Sequence, residues 1–322
     1  MNLVDVLTAN LLSPVFLAFS LGVLARLAHS ELRFPQDLYT SLSIYLLFAL
    51  GLKGGVELSH ASFGSIAGPA GATLLLGCIT PVTSYLVLRH LGSFSEADSA
   101  AIAAHYGSVS AVTFIAAQSF ASTMGSEPEG FMPTLLTLLE SPGIHIALAI
   151  GALRVSGGRP VRETLHDILT GRTMVLLVGG LAVGFLMGEK GWVSVAPFFE
   201  GGFKGALTLF ILEMGLVAAE RLGDLRKVGP FLLAFAIGMP LLHGALGATL
   251  GSLAGLSVGG ATVLAAMAAS ASYIAAPPAA RINLPTANPT YYLTSSLAIT
   301  FPFNVTLGIP VYYEIARLVH GA

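Results

Sequence analysis

Two serine-rich stretches contain the side chains best suited to hold a small ligand. They read HYGSVSAVT (105–113) and AASASYIAAPP (268–278). Their centres are poor in helix formers, and a double proline follows the second, so each stretch is predicted to interrupt a helix. The candidate binding residues in these two centres are Gly107, Ser108, Ser110, Ser270 and Ser272.

The chemistry available at these centres is that of hydroxyls and backbone amides. Neither centre contains Lys or Arg. Serine hydroxyls are neutral donors that can also accept, and a helix that starts at a break directs its amides and its dipole at an anion. The pattern therefore favours a site for a small anion that is held weakly enough to be released. Close helix packing is the alternative reading, because Ser and Gly commonly allow it in spanning helices.

Two acidic residues lie inside apolar stretches. Glu140 directly precedes the predicted kink at Pro142, and Glu213 lies deep in another apolar run. An acid in a membrane is costly and is a functional candidate by default. Glu140 is therefore the candidate for work on a cation or substrate, whereas Glu213 is better explained by capping and helix contacts.

Motifs of enzymes are missing from the sequence. It contains no GxSxG, HExxH or P-loop pattern, and its serines have no adjacent base. We therefore expect no enzyme activity and no resident cofactor, with a sodium ion as the only ion considered.

The elements that position these residues must be membrane helices. Hydrophobic residues make up 54% of the chain and charged residues only 10%, far below the roughly 25% typical of soluble domains. A net charge of −2 offers no basic surface for nucleic acid, and the single cysteine excludes an internal disulfide. The apolar runs are long and continuous, so they predict an all-α polytopic membrane protein surrounded by lipid.

The runs predict ten transmembrane helices, of which the fourth and ninth are broken. Their predicted limits are 11–27, 38–59, 66–90, 95–121, 131–155, 174–188, 197–222, 228–255, 257–280 and 290–319.

Similar motifs recur about 160 residues apart, which indicates an internal repeat. LGLKGGVEL (50–58) resembles MGLVAAERL (214–222), and the prolines of AGPAG and ESPGI match those of VGPFL and TFPFN. Because five spans is an odd number, the second copy must enter from the opposite side, giving two inverted five-helix repeats. The predicted divisions are 1–155, a cytoplasmic linker 156–173, and 174–322.

The basic residues predict the orientation. With the N-terminus outside, eleven Lys and Arg residues fall on the inner side and three on the outer side. The inner group is Arg26, Arg33, Arg89, Arg154, Arg159, Arg162, Arg172, Arg221, Arg226, Lys227 and Arg281; the outer group is Lys190, Lys204 and Arg317. Both termini are therefore expected outside the cytoplasm.

Several motifs along nearly the whole chain resemble a known family. The long stretch 268–308 contains a double proline, TANP (286–289), Ser295-Ser296 and Ala298-Ile299, and RLGDLRKVGP, LLHG and YGSVSAVTF occur elsewhere. Together they resemble the sodium-dependent bicarbonate transporters of the cyanobacterial type.

The resemblance implies a fold, a site and partners. The fold would divide into a gate part (spans 1, 2, 6 and 7) and a core part (spans 3–5 and 8–10). Bicarbonate would bind at the two breaks, where Ser108, Ser110, Ser270 and Ser272 match the family's serine-rich motifs. A homotrimer in the bacterial inner membrane is expected, with a small PII-like regulatory protein on its cytoplasmic face and lipid around it.

The chain departs from the family at two places. The second break of cyanobacterial members has the form SSSDISGPP, and Tyr273 stands at the position of its Asp. A phenol supplies no negative charge at pH 7, so sodium dependence is expected to be weakened. The linker 156–173 is also shorter and less polar than theirs, which weakens the expectation of the regulatory partner. Five residues are candidates for coupling a cation: Glu140, Thr113, Tyr273, Ser295 and Ser296.

Two other functions are compatible with the sequence. The same fold could carry a small organic anion instead of bicarbonate. A membrane sensor or scaffold with a degenerate site is the alternative from another class, because Tyr273 replaces the acid of the family motif.

Overall fold

The computed structural model describes residues 3–140, 142–154, 166 and 170–321. The predicted linker 156–173 lies outside these residues, apart from His166 and its last four positions. Within the described residues the chain is helical and has no strand. This agrees with the predicted all-α membrane class.

Eight helices precede the linker. They are α1 (Leu3–Leu11), α2 (Pro14–Leu27), α3 (Gln36–His60), α4 (Phe63–Leu86, prolonged by a π-turn over Val87–Leu91), α5 (Glu96–Tyr106), α6 (Ala111–Thr123), α7 (Met132–Glu140) and α8 (Pro142–Arg154).

Eight further helices follow it. They are α9 (Arg172–Phe199), α10 (Phe203–Arg221), α11 (Leu225–Leu253), α12 (Val258–Ala268), α13 (Ala276–Asn283), α14 (Pro289–Leu293), α15 (Phe301–Phe303) and α16 (Ile309–His320). Two π-helical segments, Thr294–Thr300 and Asn304–Gly308, join α14, α15 and α16 into one long run.

Seven stretches of the described chain are long and apolar enough to cross a membrane, or eight if the bent pair α1 and α2 is one span. One of them, Phe203–Leu253, has 51 residues. A single crossing needs about 20 residues, and this stretch contains both α10 and α11 with a charged turn between them. The fold is thus a multi-pass helical bundle, and the number ten stays a prediction.

Two predicted spans differ in extent from the structure. The first, 11–27, corresponds to α2, which starts at Pro14 after the cap residue Ser13, and it is preceded by a further helix, α1, that meets it at a bend of 57°. The sixth, 174–188, continues to Phe199 beyond a kink at Gly188, whose φ of 58° lies in the left-handed region. A hydropathy pattern cannot show that a helix continues past a polar turn.

Four helices, α2, α3, α9 and α10, form one packed group. Helix α9 packs along α3, and α10 packs along α2. The first pair is so close that a Cβ on Gly51 would lie 2.8 Å from the Cα of Gly180. Small residues commonly allow such close approach between membrane helices. These four helices correspond to spans 1, 2, 6 and 7 of the sequence.

The other helices form a second group that contains both breaks. Helix α5 packs on α4 and α8, and α12 packs on α11, α6 and α16. Helices of this group that precede the linker match helices that follow it in length. Phe63–Leu91 and Leu225–Leu253 each have 29 residues, and α5 and α12 each have 11. Serines 95 and 257 cap α5 and α12 in the same way, each accepting from the amide three residues later.

Candidate functional site

The first break, residues 107–110, is completely buried between α5 and α6. Ser110 is the N-cap of α6, and its Oγ accepts the amide of Thr113 at 3.2 Å. Ser108 Oγ donates to the backbone oxygen of Glu140 at 2.9 Å. The hydroxyl of Ser108 therefore fixes the break to the end of α7, whereas Ser110 starts the second half-helix.

Gly107 holds this break against α8. A Cβ on Gly143, the second residue of α8, would lie 1.7 Å from the backbone oxygen of Gly107. A Cβ on Gly107 would in turn lie 2.6 Å from the side chain of Pro81. The two backbones can approach this closely only because neither residue has a side chain.

The second break, residues 269–275, lies between α12 and α13. The double proline does not open a helix here; it occupies the first turn of α13, where proline is well tolerated because those amides have no helical partner. Asn304 supports the other end of the break, since its Nδ2 donates to the backbone oxygen of Ala269 at 2.9 Å.

Two hydrogen bonds join the breaks directly. The amide of Ser110 donates to Ser270 Oγ at 2.8 Å, and the amide of Ser272 donates to the backbone oxygen of His105 at 2.8 Å. Ser270 Oγ also donates to the backbone oxygen of Met267 at 2.8 Å, so both of its hydrogen-bonding roles are used inside the protein. The structure thus brings the two predicted serine motifs together.

A small central cavity of about 20 Å³ lies where the breaks meet. That volume holds about one water molecule. Its polar lining consists of Ser43, Ser110, Glu140, Thr173, Ser272 and Tyr273.

Only two of the four predicted serines line this central cavity. Ser110 accepts from the amide of Thr113, and Ser272 accepts from the amide of Ala275 at 3.3 Å. Neither hydroxyl donates to a backbone oxygen among the described residues, and that of Ser110 faces the Tyr273 hydroxyl, so both lie where a ligand that accepts could take their protons. Ser108 and Ser270 donate to backbone oxygens and support the breaks instead.

Among the described residues, Glu140 is the one carboxylate that lines the central cavity. It ends α7, is 2% exposed, and its Oε2 has no hydrogen-bond partner among the described residues. A buried carboxylate oxygen without a partner is costly, which makes it suited to hold a proton or a cation.

The other predicted cation candidates lie in different places. The Tyr273 hydroxyl is buried at the central cavity, faces Ser110 and has no partner in good geometry, while its ring packs edge-on to Phe301. Ser295 and Ser296 donate to the backbone oxygen of Tyr292 within a π-helical segment. These two serines and Thr113 are buried but do not line the cavity.

Larger cavities lie on either side. One of about 330 Å³, the Arg172 cavity, shares Glu140 and Thr173 with the central cavity. The other, the Lys204 cavity of about 490 Å³, borders it at Ile115 and carries an ion pair between Lys53 and Glu200 at 2.7 Å. A narrow space with several polar side chains thus borders two wider spaces.

Sequence reasoning missed the residues that α3 and α9 contribute. Ser43 lies on α3, and Arg172 and Thr173 begin α9. No motif marks Ser43. The two residues of α9 stand at the end of the polar linker and were counted as part of it.

The fold and the two buried serine-containing breaks define a multi-pass membrane protein built around two interrupted helices. The sequence model of the Na+-dependent bicarbonate transporter superfamily matches residues 14–317, nearly the whole chain, and the chain belongs to that superfamily. Comparison with curated proteins gave no significant match.

Proposed function

We propose that this protein is a secondary transporter that carries bicarbonate by alternating access. The observation that carries the proposal is the pair of hydroxyls, Ser110 and Ser272, that face one central cavity from two helix breaks and donate to no backbone oxygen among the described residues. An anion there would accept from both hydroxyls and from the first amides of α6. Superfamily membership supports bicarbonate as the anion.

The size of the central cavity supports a moving mechanism. A space for one water molecule does not admit a bicarbonate ion until the surrounding helices shift. The cavities on either side lie between the group α2, α3, α9 and α10 and the group that holds the breaks. We infer that the first group is the gate part, the second is the core part, and that their relative movement opens one side at a time.

The ten-helix inverted repeat is part of this proposal. The matching lengths of α4 with α11 and of α5 with α12 support it. Two cross-contacts support it as well: Thr83 bonds His243, and Ser110 bonds Ser270, and each pair is 160 residues apart. Residues near equivalent repeat positions contact each other only close to the axis that relates the repeats.

We assign the coupling of transport to sodium to Glu140. Tyr273 cannot supply the negative charge that the family's Asp would bring. Among the described residues no group of three His, Cys, Asp or Glu could bind a metal together. A sodium site would therefore combine the Glu140 carboxylate with hydroxyl and backbone oxygens, and its effect on transport would be weaker than in members with the Asp.

The proposed orientation of the protein in the membrane and its proposed assembly both rest on the sequence. The charge bias of eleven to three supports termini outside the cytoplasm of a bacterial inner membrane, with the Arg172 cavity facing inward. The homotrimer and the PII-like cytoplasmic partner are carried over from the family resemblance. Reporter fusions at Ala322 and Gly158 should give opposite signals, and a cytoplasmic signal at Ala322 would reject the ten-span topology.

Uptake of labelled bicarbonate by purified protein in liposomes tests the function. We expect accumulation above empty liposomes, with little inhibition by formate or acetate. Strong inhibition by these carboxylates, together with weak bicarbonate uptake, would favour the small organic anion instead. Saturable binding without any uptake would favour a membrane sensor.

A further inference from the structure

The first turn of α9 forms one wall of the Arg172 cavity. Gly171, Arg172, Thr173 and Met174 all line this space of about 330 Å³. The cap residue Gly171 makes no side-chain hydrogen bond, so the first amides of this 28-residue helix lack a capping side chain. The positive end of a long helix therefore faces the cavity.

Two side chains of this turn also lack partners. Thr173 is 8% exposed, lines both this cavity and the central one, and makes no hydrogen bond with its side chain to a described residue. Arg172 is exposed to the cavity and forms no ion pair within the described part of the chain. The guanidinium, the hydroxyl and the first amides of the turn thus line one space, and neither side chain is bonded to an acceptor among the described residues.

The opposite wall belongs to the other helix group. It is formed by Glu140 of α7, by Ile274 and Ala275 at the end of the second break, and by α13. Glu140 is the only acidic residue that lines the cavity among the described residues, whereas the α9 turn supplies a guanidinium and the positive end of a helix, so an anion is attracted to the α9 turn. The two walls lie on the two groups that are proposed to move against each other.

We propose that the α9 turn is a second anion site, at which Arg172, Thr173 and the first helix amides hold a small oxyanion. The oxyanion would bind there on its way between the breaks and the side of the membrane that the Arg172 cavity faces, called the Arg172 face below. The inference rests on the proposed transport function for its direction, but not for the binding itself. The planar guanidinium can donate two parallel hydrogen bonds to two oxygens of one oxyanion, which favours bicarbonate over chloride.

Transport from one side at a time tests the passage. In oriented liposomes with bicarbonate on one face only, Arg172→Gln should raise the KM from the Arg172 face about tenfold, as expected for the loss of a charge-assisted hydrogen bond. The KM from the opposite face should stay unchanged, and Arg172→Lys should give a smaller rise. Arg226→Gln is the matched control, since this exposed Arg lines none of the described cavities.

Binding tests the site without transport. Bicarbonate, compared with chloride at equal ionic strength and pH, should raise the unfolding temperature of detergent-solubilised Ser110→Ala, Ser272→Ala protein, and added Arg172→Gln should remove that rise. Unchanged KM values in Arg172→Gln would overturn the second site. A bicarbonate-dependent rise in unfolding temperature that persists after Arg172→Gln is added to the double variant would overturn it as well. If the unmodified protein carries no bicarbonate, the transport proposal fails while this binding experiment still decides the site.

Discussion

The two breaks that meet at the central cavity are held in different ways. The first, residues 107–110, is fully buried, closes against Gly143 without a side chain between the backbones, and is tied to α7 through Ser108. The second, residues 269–275, is longer, and its last three residues are half-buried beside two cavities. The first break therefore acts as a fixed wall of the site, and the second is the wall that can adapt to a ligand.

This difference bears on a position at which the family resemblance implies an Asp. Tyr273 occupies that position and lies in the adaptable break, where its ring packs edge-on to Phe301. An equivalent change in the first break would meet backbone on several sides. We infer that substrate and ion preference are altered more easily at the second break than at the first.

The largest effect is expected from Gly143→Ala. The new Cβ would lie 1.7 Å from the Gly107 oxygen, so α8 or the first break must shift. Uptake should fall to the level of empty liposomes even if the protein still inserts and assembles. Gly179→Ala is the control, because nothing lies within 4 Å of a Cβ at that helical position. Normal uptake by Gly143→Ala would show that the first break is not a fixed wall.

Replacing Asn304, which supports the second break, should chiefly lower the stability of the protein. Asn304→Ala removes the donor to the Ala269 oxygen and leaves the Tyr312 hydroxyl, which donates to Asn304 at 2.8 Å, without its acceptor. Leaving buried polar groups unpaired costs about 1–3 kcal/mol each. Thermal unfolding should shift down clearly, and Tyr312→Phe should shift it less, because it leaves the bond to Ala269 intact. Equal downward shifts of the unfolding temperature in both variants would contradict the role of Asn304 in supporting the second break.

Removing or adding a carboxylate at the central cavity should change the sodium dependence of uptake rather than folding. Glu140→Gln should abolish the stimulation of uptake by an inward sodium gradient, and Tyr273→Asp should strengthen it if the cavity keeps its shape. Both effects are read from uptake rates with and without sodium at constant ionic strength. Strong stimulation that survives Glu140→Gln would mean that the cation uses other oxygens, such as those of Thr113, Ser295 or Ser296.

The smallest effect is expected from Pro277→Ala. This proline lies in the first turn of α13, where an amide has no helical partner in any case. Stability should fall by only about 0.4–1 kcal/mol, through the greater freedom of the unfolded chain. A loss of uptake as large as that of Gly143→Ala would show that the second break is as rigid as the first.

Sequence reasoning predicted the class of fold and the positions of the two helix breaks because both depend on local patterns. Apolar runs identify membrane helices, and clusters of Ser, Gly and Pro identify the breaks. It could not separate Ser110 and Ser272, which face the cavity, from Ser108 and Ser270, which support the backbone, because that depends on which carbonyl lies nearby.

Contacts between distant helices were also beyond the sequence. Ser43 and Thr173 reach the central cavity only through the packing of α3 and α9 against the breaks. The second half of α9 was missed because Gly188 and charged neighbours resemble the end of a helix. Such features become visible only when the packing partner of each segment is known.

The central claim is that the anion is held between the two breaks by the hydroxyls of Ser110 and Ser272. The most direct measurement is labelled bicarbonate uptake in liposomes by the double variant Ser110→Ala, Ser272→Ala. Each hydrogen bond lost to a charged ligand is worth about 1.5–3 kcal/mol, roughly tenfold or more in affinity, so uptake at low bicarbonate should fall at least a hundredfold or below detection. Ser99→Ala, which removes a buried α5 hydroxyl that has no partner in the described structure, should keep normal uptake. Uptake by the double variant equal to that of Ser99→Ala would contradict the account.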